Sequence, residues 1–318
     1  MTFKIITLGC KVNIYESEVM KEKLLQAGFK ETIDNSDIVI INTCSVTNMA
    51  DVKSRKMIRR EKKENPQSIL VVCGCSAENH RLELEDLGID ILIGNKDKSN
   101  IVSLIWEYQN NHKPITKFYD TRKLPFEDMK VDKFTSHTRG FIKIQDGCNN
   151  YCSYCIIPYV RGNIRSKDID VALKEAKELV ANNHKEIVLT GIHTGSYGVG
   201  YDFDLVDLIN KMSTIPGLKR IRLSSIEITE LNDKFMELLK NNPILCDHLH
   251  IPLQSGSEKI LKLMNRKYDK ARYESIINQI RAIRPEISIT TDVIVGFPGE
   301  TESDFNECLD FCRKIKYA

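Results

Sequence analysis

Three cysteines, Cys148, Cys152 and Cys155, stand as Cys-x3-Cys-x2-Cys in the run Asp146-Gly-Cys-Asn-Asn-Tyr-Cys-Ser-Tyr-Cys. Three neighbouring thiolates can hold a [4Fe–4S] cluster by three of its irons, leaving the fourth open to a ligand from outside the chain. S-adenosylmethionine (SAM) can chelate such an iron and be cleaved there by one electron to a radical. The competing chemistry is a structural zinc site, which needs a fourth ligand at comparable spacing. The nearest downstream candidates, His184 and His193, fall on separate expected elements.

Three further cysteines lie far apart in the first third of the chain. Residues 1 to about 110 alternate short apolar runs with amphipathic segments, the pattern of parallel strands connected by helices. Strands are expected over 3–8, 38–42, 68–72 and 91–93, and helices over about 15–27, 47–64, 78–87 and 99–108. Cys10, Cys44 and Cys75 each fall just past one of the first three strands, in the turn-forming contexts Leu8-Gly-Cys-Lys, Asn42-Thr-Cys-Ser and Cys73-Gly-Cys-Ser. In an open parallel sheet those loops share one ligand-binding edge, so the three thiols should converge on one rim as a second metal site. Cys73 competes for the third place, but it continues the apolar run Ile69-Leu-Val-Val-Cys and reads better as a buried strand thiol. Cys75, after Gly74, is the better ligand. Cys308 and Cys312 read with Phe305, Leu309 and Ile315 as a core stripe of the last helix, and Cys246 as a core thiol.

These thiols need elements to position them. The helix after Cys44 carries Lys53, Arg55, Lys56, Arg59, Arg60, Lys62 and Lys63 against Asp51, Glu61 and Glu64. Such a run is either a solvated face or a phosphate-contacting face that positions an RNA without reading its sequence. From about 112 to 139 periodicity fades, and Pro114 and Pro125 mark an extended connector. A second alternation follows, with five parallel strands expected over 141–145, 186–190, 219–223, 248–254 and 288–295, each with a helix after it. Barrel-like α/β enzymes place chemistry at the carboxyl ends of such strands. Here those ends carry Thr190-Gly-Ile-His-Thr-Gly195, Ser224-Ser-Ile-Glu227, Gln254-Ser-Gly256 and Gly296-Phe-Pro-Gly-Glu300. Gly191 and Gly296 allow close backbone approach to a bound cofactor, while Ser225 and Glu227 can bond to ribose hydroxyls and an amino group.

Composition sets milder bounds. With 46 basic and 44 acidic residues no strong global field draws the chain onto nucleic acid, so any RNA contact must come from local patches. Ten cysteines without a leader-like apolar start read as a reducing, cytoplasmic compartment with metal ligands rather than disulfides. No apolar run approaches membrane-spanning length.

Taken together, the stretches Thr7-Leu-Gly-Cys-Lys-Val-Asn13, Ile41-Asn-Thr-Cys-Ser-Val-Thr47, Gly74-Cys-Ser-Ala77, 147–161 and Asp292-Val-Ile-Val-Gly-Phe-Pro-Gly-Glu-Thr301 resemble the methylthiotransferases of the radical SAM superfamily. Tyr154, just before the last cysteine of the first trio, matches the radical SAM signature. The resemblance implies an α/β fold: an N-terminal methylthiotransferase domain over 1–112 with an open parallel sheet, a linker over 113–136, and a radical SAM core over 137–318. It implies two [4Fe–4S] clusters, one on Cys148, Cys152 and Cys155 with SAM, and an auxiliary one on Cys10, Cys44 and Cys75, which settles the choice against Cys73. Family members continue into a sixth barrel strand and a small tRNA-gripping domain called TRAM. The expectation is therefore a partial (β/α) barrel lacking its last strand, with TRAM absent.

Branches of the family act on isopentenyladenosine in tRNA, on threonylcarbamoyladenosine in tRNA, or on an aspartate of a ribosomal protein. Gly-Cys-Lys-Val-Asn13, Asp51-Val-Lys-Ser-Arg-Lys and Leu189-Thr-Gly-Ile-His-Thr-Gly-Ser-Tyr-Gly198 look most like the threonylcarbamoyladenosine branch. The implied reaction is radical activation of carbon 2 of that adenine beside the anticodon, followed by transfer of a methylthio group carried on the auxiliary cluster. The implied partners are the tRNA and a reducing electron-donor protein, with neither membrane nor DNA. A non-catalytic iron–sulfur or zinc scaffold is the alternative of another class.

Overall fold

The computed structural model describes residues 1–134 and 137–318. Thr135 and Ser136, inside the expected linker, lie outside the described residues. The chain divides into two compact units, one formed by residues 1–131 with 156–163 and the other by 132–155 with 164–318.

The first unit is built on a six-stranded parallel sheet: β1 (Thr2–Thr7), β2 (Lys30–Glu31), β3 (Ile38–Thr43), β4 (Ile69–Gly74), β5 (Ile91–Ile93) and β6 (Ile115–Lys117), in the order β2-β1-β3-β4-β5-β6. All six residues of β3 are buried, as a central parallel strand covered on both faces requires. Successive side chains alternate faces. Phe3, Ile38, Ile40, Val71, Cys73, Ile91 and Ile93 pack on one side with Met20 and Leu24 of α1 (Lys11–Gln26). Ile101, Leu104 and Ile105 of a later helix, Ile101–Asn111, join the same cluster. Val39, Ile41, Leu70, Val72 and Leu92 face the other way, against Ile58 of α2 (Asn48–Glu64), Ala77 of α3 (Cys75–Asn79) and Leu84 of α4 (Arg81–Glu85). With Ile101–Asn111 as α5, helices cover both faces. In this doubly wound order the strand sequence reverses between β1 and β3, which is where such folds place ligands.

The second unit carries β7 (Gly140–Lys143), β8 (Gln145–Asp146), β9 (Arg165–Ser166), β10 (Glu186–Thr190), β11 (Arg220–Leu223), β12 (His248–His250) and β13 (Ser288–Thr290). β7, β10 and β11 form one parallel sheet in the order β11-β10-β7, and β12 and β13 pair in parallel. Bonds from Ile221 N to Ile244 O (2.7 Å) and from Cys246 N to Ile221 O (2.9 Å) join the two sets, giving five parallel strands in succession. β8 and β9 form a separate antiparallel pair. α6 (Ile157–Val160) belongs to the first unit. The strands of the second unit are followed by α7 (Ile169–Ala181), α8 (Leu205–Ser213), α9 (Asp233–Asn241), α10 (Glu258–Leu263), α11 (Lys270–Ile283) and α12 (Glu302–Ile315). Five of these helices start at a side chain that accepts a backbone N–H: Asp168, Asp204, Asn232, Asp269 and Thr301. No helix of the described residues is long and apolar enough to cross a membrane.

Several elements depart from the sequence reading. Part of the expected connector over 113–136 is β6, and Met129 and Val131 are buried, with Tyr15 donating to the Met129 carbonyl (2.6 Å). The helix expected over 78–87 is α3 and α4, broken at His80, and α3 already begins at Cys75. The strands expected over 248–254 and 288–295 end early. Pro252 has no N–H to give, and the Thr291 hydroxyl takes the place of backbone groups by accepting from Leu253 N (2.8 Å) and donating to Ile251 O (2.8 Å). In α12 the buried stripe is Asp304, Cys308, Phe311 and Ile315, whereas Phe305 and Leu309 are exposed. Cys308 and Ile315 stay buried, and the stripe is turned toward Asp304, which accepts from Ser257 Oγ (2.9 Å), and Phe311, which meets Tyr273 edge-on at 6.2 Å.

Candidate functional site

Each unit carries one of the two sets of thiols. In the first, Cys10 is the N-cap of α1, Cys44 lies one residue past β3, and Cys75 opens α3 directly after β4. Gly9 holds φ +97°, and a methyl group there would lie 2.5 Å from both Cβ and Sγ of Cys44, so the Cys10 turn rests directly on the Cys44 side chain. Gly74 holds φ +101°, and a methyl there would meet the Thr43 carbonyl at 2.5 Å. Glycine is required at both turns. Ser54 of α2 ties down the Cys44 loop, accepting from Cys44 N (3.1 Å) and donating to Cys44 O (2.9 Å). Asn13 donates to Leu8 O (2.7 Å) and Thr43 O (2.9 Å), fastening the turn after β1 to the end of β3.

Beneath these thiols lies a set of fully buried charges that the sequence reading missed. Arg161, Glu16 and Lys98 have no exposed side-chain surface. Arg161 donates Nε to Cys75 Sγ (3.3 Å), Nη1 to Glu16 (2.9 Å) and Nη2 to Asn13 Oδ1 (2.9 Å). Lys98 pairs with Glu16 and reaches Asn95 Oδ1 (3.3 Å), and Asn95 in turn contacts Cys75 Sγ (3.7 Å). No periodicity could have signalled this, because charged residues are exposed by default.

Burial raises the Cys10 thiol against the lowering pull of Arg161, and pushes Cys44 up to about 11. Cys73, by contrast, is a strand thiol pushed up to about 12 by burial, its sulfur 3.7 Å from Asn42 Oδ1. Among the described residues, no three His, Cys, Asp or Glu side chains are grouped as a single metal ion needs. A cubane asks for a wider set, since each thiolate binds a different iron. The donor set suits one: a [4Fe–4S] core in its usual dipositive state on three thiolates carries one net negative charge. The buried cations Arg161 and Lys98 stand beside the Cys75 thiol, directly and through Asn95.

In the second unit, the loop carrying Cys148, Cys152 and Cys155 leaves the carboxyl end of β7 and β8. All three thiols are half-buried. The loop is docked on the end of α10: Ser153 N donates to Met264 O (3.2 Å), Ser153 Oγ to Leu263 O (2.8 Å), and Asn265 Nδ2 to Tyr151 O (3.0 Å). Arg266, just beyond α10 and also missed from sequence, donates to Cys152 Sγ (3.2 Å) and stacks over Tyr268 at 5.0 Å. Its other arm pairs with Glu227, so the carboxylate expected to meet a ligand amine is held by an arginine. Burial raises the Glu227 carboxyl while Arg266 pulls it down.

His193, between β10 and α8, places Nδ1 3.8 Å from Cys148 Sγ and Nε2 2.6 Å from Glu230. Burial lowers this imidazole, but Cys148 and Glu230 outweigh that and push it up to about 10. Gly191 stands against Gln145, since a methyl there would lie 2.9 Å from Gln145 Oε1. That oxygen accepts from His193 N (2.7 Å), while Gln145 Nε2 donates to Gly147 O (2.7 Å), so Gln145 clamps the root of the cysteine loop. Tyr154 meets Phe297 edge-on at 6.5 Å. Gly296 (φ +72°) has open space around it, and its N–H donates to Glu300. Ser225 is half-buried at the end of β11. Tyr154, Ser225, Glu227 and Gly296 thus all belong to the unit that carries the cysteine loop, at or beyond the ends of its strands.

Comparison with known proteins identifies the family. The radical SAM superfamily profile matches residues 142–312, and that of an uncharacterized protein family, UPF0004, matches residues 2–94. The chain is 42% identical to the threonylcarbamoyladenosine tRNA methylthiotransferase MtaB of Bacillus subtilis, covering 98% of this chain and 70% of that protein. It is 38% identical to the protein of the same name from Thermotoga maritima, covering 100% and 73%. It is 36% identical to the tRNA-2-methylthio-N(6)-dimethylallyladenosine synthase of Clostridium tetani, covering 99% and 72%. Among solved structures, the radical SAM methyltransferase TsrM of Kitasatospora setae shares the fold at a TM-score of 0.68 and 16% identity, over 99% of this chain and 71% of that one. Profile matches over both halves, and relatives at this identity along nearly the whole length, make this chain a member of the radical SAM methylthiotransferase family.

Proposed function

We propose that this enzyme transfers a methylthio group to carbon 2 of N6-threonylcarbamoyladenosine beside the anticodon of tRNA, with two [4Fe–4S] clusters, SAM and a reducing electron-donor protein. The observation that supports the two-cluster reading is that Cys10, Cys44 and Cys75 follow the carboxyl ends of three neighbouring strands, β1, β3 and β4, in a chain that also holds the Cys148–Cys155 loop. The choice of adenosine is supported by the 42% identity to the Bacillus subtilis protein, against 36% for the dimethylallyladenosine synthase.

When bound, the clusters and SAM supply one-electron cleavage of SAM and the sulfur that is transferred. The residues of the chain orient and shelter that chemistry. Cys148, Cys152 and Cys155 hold one cluster by three irons, and Arg266 keeps a donor on the Cys152 sulfur. Tyr154 in the cysteine loop, and Gly191, Ser225, Glu227 and Gly296 beyond the ends of β10, β11 and β13, are the candidate SAM neighbours. Cys10, Cys44 and Cys75 hold the other cluster. On α2, Lys53, Lys56, Arg59 and Lys63 are exposed on a helix that begins four residues after Cys44, a face suited to tRNA phosphates.

The test is nucleoside mass spectrometry of tRNA from a strain deleted for its own threonylcarbamoyladenosine methylthiotransferase and supplied with this chain. The expected result is the methylthio form of that nucleoside, abolished by alanine at any of the six cysteines. Alanine at Cys148, Cys152 or Cys155 should also abolish formation of 5′-deoxyadenosine from SAM, while alanine at Cys10, Cys44 or Cys75 should leave it. Methylthiolation of isopentenyladenosine alone would overturn the substrate assignment.

A further inference from the structure

We propose that Arg161 is a positioning residue of the second cluster, holding the Cys75 thiolate by a charge-assisted bond and setting the cluster's reduction potential. The inference rests on the reading that Cys10, Cys44 and Cys75 bind that cluster.

Two observations carry it. The guanidinium is fully buried, and its Nε–H is aimed at Cys75 Sγ at 3.3 Å, so the bond is shielded from water. Its orientation is fixed from two sides: Glu16 accepts from Nη1 at 2.9 Å and from Nη2 at 3.3 Å, and Asn13, the residue that ties the turn of Cys10 to the end of β3, accepts from Nη2 at 2.9 Å.

Glu16 also has Lys98 as a buried partner, so R161M does not leave that carboxylate without a cation. Donors to cluster sulfurs and nearby positive charge favour the reduced, more negative state, so loss of Arg161 moves the potential downward.

The test uses the full chain bearing C148A, C152A and C155A together, so that any cubane sits on the remaining trio. It is reconstituted anaerobically with Arg161, R161M or R161K. Iron and sulfide content, thermal melting, and a redox titration followed by electron paramagnetic resonance are measured for each.

The Arg161 chain should take up about four irons. R161M, which leaves the Glu16–Lys98 pair intact, should fold but bind the cluster roughly 10–100-fold more weakly, as loss of an outer ligand-orienting partner typically does. Its residual cluster should titrate at a more negative potential. R161K restores the charge without the aimed Nε–H and should fall between the two. An R161M chain with unchanged iron affinity and unchanged potential would overturn this inference alone. An Arg161 chain that takes up no iron would overturn it together with the two-cluster reading.

Discussion

Replacing Gly9 by alanine separates the two sites by a single methyl group. The added Cβ would lie 2.5 Å from both Cβ and Sγ of Cys44, whereas non-bonded carbon atoms rest at about 3.5–4.0 Å. Cys44 must therefore retreat by about 1 Å, twice the roughly 0.5 Å tolerance within which a functional constellation must be held. Two costs add: roughly 1–2 kcal/mol for a side chain at φ +97° and roughly 1–3 kcal/mol for overpacking. A loss of about 2–5 kcal/mol lowers the melting temperature of a unit of this size by roughly 4–20 °C. The cluster assay is sharper. G9A should reconstitute to about four irons per chain where the parent takes about eight, and should still form 5′-deoxyadenosine from SAM. G28A is the control, since Gly28 also holds positive φ (+87°) but has nothing within 4 Å of its absent methyl. It should show the backbone cost alone, with full iron. A G9A chain that holds as much iron as G28A and melts no lower would refute the argument that Gly9 places Cys44.

Two further outcomes can be checked on the same preparations. R266M leaves the largely buried Glu227 without its partner and Cys152 without its donor; urea unfolding should show a loss of about 3 kcal/mol, and 5′-deoxyadenosine formation should fall by roughly 10-fold or more. Changing Lys53, Lys56, Arg59 and Lys63 together to alanine should weaken tRNA binding and reduce the slope of log affinity against log salt by about 3, with iron content unchanged.

How much of this was legible in the sequence depends on what each residue must do. The central strands read clearly, because β3 and β4 are covered on both faces and therefore open as unbroken apolar runs, Ile38–Ile41 and Ile69–Cys73. The edge strands β2 and β6 did not. They are two and three residues long, and Lys30–Glu31 is exposed along its whole length. The rim cysteines were legible because strand ends and turn glycines locate them without any tertiary detail. Arg161, Glu16, Lys98 and Arg266 were not, since a charged side chain gives no sequence sign that its partners will be brought to it from elsewhere in the fold. Arg161 meets Glu16 across a separation of 145 residues and Arg266 meets Glu227 across 39. Gly191 shows a subtler limit: a glycine after a strand marks a close approach, but the group that approaches here is the Gln145 side chain.

The choice between Cys73 and Cys75 turns on one backbone angle. Along β4 side chains alternate, and Cys73 joins Val71 on the face packed against α1 and α5. Continued extension would return residue 75 to that same core. Gly74 prevents this: at φ +101° and ψ −167° it leaves the extended region, the next residue starts α3, and Cys75 meets Arg161. No other residue fits at 74, since a methyl would sit 2.5 Å from Thr43 O and 2.8 Å from Asn42 Oδ1. The two thiols, though both buried, should therefore behave oppositely. C73S exchanges sulfur for oxygen beside the Asn42 acceptor that the thiol already faces, and should leave iron content and methylthiolation intact while lowering the melting temperature slightly. C75S removes a sulfur that Arg161 addresses, and should cost about half the iron and all methylthiolation. Iron lost on C73S and kept on C75S would mean that the strand, and not the turn at Gly74, presents the ligand.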